Sequence, residues 1–154
     1  MTLDRYLERL EQFSARCGAP VIRDSLMADV NGRVEERHIV LRLGLSREQQ
    51  VLTLVHELTH LIAHCNANPK LNRTVCEYEA EAVERWVGAE LGVRPYAAEA
   101  LDIASVTEDL LACSVARVRW AAVTLVNAAR SDNAAGIDAA LTSAGRRQDL
   151  DNVR

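Results

Sequence analysis

Three of the chain's four histidines lie in VLTLVHELTHLIAHC, residues 51–65, at four-residue spacing: His56, His60 and His64. Glu57 stands between the first two. Successive residues of an α-helix are about 100° apart, which puts His56 and His60 within about 40° of each other on one face. Val51, Val55, Leu58, Leu61 and Ile62 fall on the opposite side. Two imidazoles at i and i+4 can share one tetrahedral cation. Glu57, at the edge of the histidine face, can reach a water beside that cation without binding the cation itself. That is the physical content of H-E-x-x-H. The ordinary alternative for any one histidine is a polar residue on a helix. Order, spacing and the opposed aliphatic stripe together favour the metal.

A catalytic zinc takes three protein ligands and leaves the fourth position to water. The candidates for the third are His64, Cys65, Cys76, Glu77, Glu79 and Glu81. His64 is one turn further along the same helix, and three ligands spread over two straight turns converge poorly on one ion. A second helix, TVCEYEAEAVERWVGAELG, is the better source. Its apolar stripe is Cys76, Ala80, Val83, Val87 and Leu91; Glu77 and Glu81 share one flank and Glu79 lies on the other. The pair suits one metal ligand plus one carboxylate that orients a histidine. The ordinary alternatives are Glu77 closing a capping box with Thr74 and Glu81 as a solvated charge. A closed structural site completed by Cys65 or Cys76 is a further arrangement open to these residues.

HELTH, its continuation LIAH and the downstream EYEAEAV resemble the ImmA/IrrE-type zinc metallopeptidase family. They are also similar to the related metallopeptidase domain of ArdC-type antirestriction proteins. The resemblance spans about residues 20–95. It implies a small zincin-like domain with His56, His60 and Glu77 as Zn2+ ligands and Glu57 as the general base, Glu81 being the candidate that orients a ligand. It also implies a metalloendopeptidase acting on a protein or peptide substrate, such as a transcriptional repressor in stress response or mobile-element control. The alternative is a zincin fold kept for non-catalytic interaction or antirestriction. Tyr78, Tyr96, Arg85 and His64 are the candidate oxyanion donors.

These residues need a scaffold. The 154-residue length suits one domain. The expected class is α+β, with helices packed on a short, mainly antiparallel sheet of about three strands and the H-E-x-x-H helix at the centre. Leu3, Tyr6, Leu7, Leu10 and Phe13 predict an amphipathic first helix. Val21-Ile22, Leu26 to Val30 and His38 to Leu43 read as strands, with Asn31-Gly32 as the turn between the last two. Ser46 with Gln49 forms a capping box at the head of the metal helix. The glutamate helix starts at Thr74 and ends near Gly92. A later helix over about 107–129 carries Leu110, Leu111, Val115, Val118, Ala122, Leu125 and Val126 as its stripe. The domain is expected over 1–130, with 131–154 a tail holding a short helix near 136–143 or disordered.

Composition excludes several classes. Apolar residues at 49% and charged residues at 26% place the chain among ordinary globular proteins. The net charge of −4, with its basic residues scattered, gives no support to direct nucleic-acid binding. No stretch has the roughly 18 apolar residues of a membrane span, and MTLDRYLERLEQF reads as a helix rather than a signal peptide. The expected location is the cytoplasm, with Cys17, Cys65, Cys76 and Cys113 as free thiols. Nothing in the pattern speaks to oligomeric state.

Overall fold

A computed structural model describes residues 1–64, 73–94, 108–133 and 135–142, with backbone alone for 108–113. Helix α1, Leu3–Arg16, is capped by the Thr2 hydroxyl, which accepts from the Arg5 N–H. It buries Leu7, Leu10 and Phe13, the centre of the expected stripe. Gly18, at φ 83°, turns the chain out of the helix, a conformation a Cβ would oppose.

Strands β1 (Val21–Asp24), β2 (Gly32–Glu35) and β3 (His38–Arg42) form one sheet in the order β1-β3-β2. β2 pairs antiparallel with β3, and β1 pairs parallel with it. The sheet is therefore mixed, not mainly antiparallel. β2 reaches its seat beside β3 through the two-residue turn Glu36-Arg37, and β1 takes the edge of β3 that this leaves.

β3, the central strand, is buried more fully than a half-buried alternating strand would be. Ile39 and Leu41 are buried as an alternating strand requires, but Val40 is 2% exposed as well, and Leu43 lies exposed past the strand end. A strand flanked on both edges and covered on both faces loses the alternation of a half-buried one.

The expected strand at Leu26 to Val30 does not form. That stretch turns, with the Val30 N–H donating to the Met27 carbonyl at 2.9 Å and Met27 left exposed. The second strand begins at Gly32 instead. Asn31-Gly32 was expected as a turn, yet Gly32 is not among the glycines with positive φ. It is needed for proximity: a Cβ there would come within 2.5 Å of Thr53 Cγ2 and 3.1 Å of Glu57 Cγ. Glycine lets the strand edge lie directly on the H-E-x-x-H helix. Gly32→Ala should cost about 1–3 kcal/mol, as overpacking does, and Thr53→Ser, which removes that methyl group, should restore part of it. Urea midpoints of the single and double variants check this.

Helix α2, Arg47–Thr59, carries both bonds of the Ser46–Gln49 capping box, at 3.2 and 2.9 Å. It packs on α1, β2, β3 and the following helix α3, burying Val51, Leu52, Leu54, Val55 and Leu58. A π turn over His60–His64 continues it. Helix α3, Arg73–Leu91, starts within one residue of the expected Thr74 and ends at Gly92, φ 72°. It buries Val75, Ala80, Val83, Val87 and Leu91.

Helix α4, Glu108–Arg130, matches its expected span, but its buried face is Ala121, Ala122, Leu125, Val126, Ala128 and Ala129. Val115 is exposed, and the side chains of Leu110 and Leu111 lie outside the described residues. Alanines let α4 approach its neighbours closely, so small residues form the seam the larger ones were expected to make. Helix α5 over 135–142 puts Ile137 and Ala140 into the same core.

The fold is a small α+β arrangement of helices on a three-stranded mixed sheet. Among the described residues no helix is long and apolar enough to cross a membrane. Cys17 and Cys76 are free thiols; Cys65 and Cys113 lie outside the described side chains.

Candidate metal centre

The aliphatic face of α2 is in the core, so its histidine face points across to α3. His56 Nε2 lies 3.1 Å from His60 Nε2. Glu77 Oε2, from α3, lies 3.4 Å from the first and 3.5 Å from the second. His56, His60 and Glu77 are thus close enough to hold a metal ion. Zinc bonds of about 2.0–2.1 Å to nitrogen or oxygen set tetrahedral edges of about 3.3 Å, close to this triangle.

The surroundings push the two imidazoles in opposite directions. Burial, with the neighbouring His56 next in weight, pushes the His60 imidazole down to about 4. It is therefore neutral at neutral pH, as a metal ligand must be. For His56 burial works downward, but the hydrogen bond to Glu84 and the charges of Glu57, Glu84 and Glu77 outweigh it and raise the value.

Glu84 holds His56 in place: its Oε2 lies 3.3 Å from His56 Nδ1. A carboxylate only accepts, so Nδ1 carries the proton and Nε2 is left to face Glu77. Glu84 went unnoticed in the sequence, although Glu77, Glu81 and Glu84 at i, i+4 and i+7 share one face of α3. Glu81 lines the same cleft, and its Oε2 lies 3.5 Å from Arg85. Glu84→Ala should weaken zinc binding by about 10–100-fold, as loss of an orienting partner does. Competition against a chromophoric chelator measures it.

Glu57 is buried beside the triangle. Burial raises its carboxyl to about 7; the charge of His56 and a hydrogen bond from the Val34 N–H pull the other way. That bond identifies the strand edge at the site. The Arg42 N–H donates to the Asn31 carbonyl at 2.8 Å, so Asn31, Arg33 and Glu35 exchange ladder bonds with β3. The main-chain groups of Gly32 and Val34 then point away from it, toward α2. β3 is the central strand, and the edge beside His56, Glu57 and His60 is β2.

A cleft of about 880 Å³ runs between this edge and α3, lined by Asn31 to Val34, Thr53, His56, Glu57, His60, Arg73, Glu77, Glu81 and Glu84. Of the expected oxyanion donors, Arg85 pairs with Glu81 and His64 faces away toward Glu79. Neither they nor Tyr78 lines the cleft, and Tyr96 lies outside the described residues. Arg33 and Arg73 are the cationic side chains on its walls.

His64 is not one of the three converging ligands. A four-residue step overshoots a full turn by about 40° in an α-helix but falls short in the wider i→i+5 turn. His64 stands one turn beyond His60, in the π turn, with the two Nδ1 atoms 3.0 Å apart. Its other nitrogen, Nε2, lies 3.0 Å from Glu79 Oε2.

No family model, curated protein or solved structure matches the chain.

Proposed function

We propose that the chain is a zinc-dependent endopeptidase that cuts an extended segment of a protein substrate. In this reading it is a zincin-like domain of the kind its HELTH and EYEAEAV segments resemble. The observation that carries it is the set of His56, His60 and Glu77 at tetrahedral edge lengths, with the buried Glu57 carboxylate next to them on a strand edge. His56, His60 and Glu77 would hold the zinc. When bound, zinc supplies a Lewis acid that acidifies water and polarises a carbonyl.

The chain's own residues do the rest. The outward main-chain groups of Gly32 and the carbonyl of Val34, whose N–H Glu57 engages, offer an extended peptide a strand edge to pair with. Pairing lays the scissile bond along the cleft wall that holds Glu57. Glu57, raised toward neutrality by burial, takes a proton from the attacking water as the oxygen bonds to the carbonyl carbon. It returns that proton to the amine nitrogen as the C–N bond breaks. A buried carboxylate of this kind is poised to accept and release a proton near neutral pH.

The test is cleavage of a mixed peptide library by the full chain, read by mass spectrometry with and without chelation and zinc restoration. Zinc-restored cleavage at internal bonds is expected. A protein that holds zinc and leaves every peptide and unfolded protein intact would overturn the reading in favour of a binding module.

A further inference from the structure

Glu79 takes no part in the reaction above, yet it is the most buried acid of the described residues, 1% exposed on α3. Its carboxylate is enclosed by donors. Arg117 on α4 approaches with Nε 2.9 Å from Oε2 and Nη2 2.8 Å from Oε1, and the Ser114 hydroxyl donates to Oε1 at 2.6 Å. The remaining neighbour is His64 Nε2. Burying a charge this deeply is costly unless it is fully paired, and a leucine would fill the place at no electrostatic cost.

With one proton on each imidazole, the hydrogen-bond roles along this chain of groups follow in order. A carboxylate paired with a guanidinium is an acceptor only, so the proton between His64 and Glu79 sits on His64 Nε2. With its one ring proton on Nε2, His64 has its lone pair at Nδ1, 3.0 Å from His60 Nδ1. A hydrogen bond at that distance requires His60 to donate, which puts its proton on Nδ1 and leaves Nε2 bare. That is the nitrogen facing His56 Nε2 and Glu77 Oε2. Glu84 does the same for His56 from the other side. Both imidazoles thereby present lone pairs toward the carboxylate of Glu77, an arrangement of three acceptors that suits a cation.

We infer that Glu79 and His64 are positioning residues that select the Nδ1-protonated tautomer of His60, keeping its Nε2 free for the metal. The inference rests on the metal centre proposed above. It links the metal helix to α4 through Arg117 and Ser114.

Glu79→Gln separates this role from packing. Ser114 and Arg117 Nη2 donate to Oε1, and Arg117 Nε, 2.9 Å from Oε2, is also 3.2 Å from Oε1, so the amide oxygen takes the Oε1 position, where three donors reach it, and the NH2 group faces His64. The amide donates to His64 Nε2, His64 carries its proton on Nδ1, and His60 is driven to the Nε2-protonated form. His64→Leu cuts the chain elsewhere and leaves Glu79 with Arg117 and Ser114.

The experiment is long-range proton–nitrogen correlation NMR of the full chain with 15N-labelled histidine, metal-free, paired with zinc competition titrations. In the unmodified protein, His60 is expected protonated at Nδ1 and His64 at Nε2. Glu79→Gln should move the His60 proton to Nε2. Both variants should lose about 10–100-fold in zinc affinity, and the double variant should lose no more than the worse single, because both act through one chain. An unmodified His60 protonated at Nε2, or one unchanged by Glu79→Gln, overturns the inference, as does full additivity in the double variant. If the unmodified protein binds no zinc, the proposed function falls. The metal-free tautomers still decide whether Glu79 sets His60.

Discussion

Glu57→Gln is expected to lower peptide hydrolysis by roughly 10²- to 10⁴-fold, the usual contribution of a positioned general base. Zinc affinity should stay unchanged. The substitution is nearly isosteric, and the amide oxygen can still accept the Val34 N–H that now bonds the carboxylate. Glu57 is not one of the three converging ligands. What the variant loses is the capacity to take and return a proton. The fold should hold, because a neutral amide replaces a carboxyl that burial already pushes toward neutrality. Turnover of the best library peptide, measured beside a zinc titration of the same preparation, separates the effects. Residual turnover close to the unmodified level would remove Glu57 from the chemistry. Loss of zinc would show that it belongs to the coordination instead.

The second large effect is expected at Glu77, the one residue of α3 in the proposed ligand set. Glu77→Ala should weaken zinc binding by more than the roughly 10–100-fold that loss of an orienting partner costs, and hydrolysis should fall with occupancy. Glu81→Ala should leave zinc affinity close to unchanged, because Oε2 of Glu81 is engaged by Arg85. The contrast matters because the two glutamates lie one turn apart on the same helix face, and only geometry across the cleft separates them. Cobalt substitution adds an independent readout: histidine and carboxylate ligands give weak visible bands, whereas a strong thiolate-to-metal band would indicate a closed site completed by cysteine. Zinc retained by Glu77→Ala and lost by Glu81→Ala would reverse the assignment.

The lines most readable in the sequence were those set by local periodicity. The i, i+4 histidines, the opposed aliphatic stripe and the Ser46–Gln49 box lie within one helix, so covalent spacing alone relates them. The same holds for the spans of α1, α3 and α4. Where residues were misjudged, a long-range neighbour decided. Asn31-Gly32 has the composition of a turn, but Gly32 is glycine because α2 lies against it. Val40 sits at an outward position of an alternating strand, but β3 is central and covered on both faces.

His64 and Glu79 show the boundary sharply. By spacing, His64 was a poor third ligand and Glu79 merely an acid on the wrong flank of α3. Both statements hold in the structure, yet neither reveals that the two meet each other, and Arg117, in the core. The sequence alone determined which residues could ligate a metal and which helix faces they share, because helical geometry follows from chain chemistry. Only the tertiary structure decided that Glu77 closes the triangle, that Glu84 orients His56, and that His64 meets His60 in a π turn. Those choices depend on how α2, α3, α4 and the edge of β2 pack together, and packing between distant segments is set by the whole core rather than by any one stretch of it.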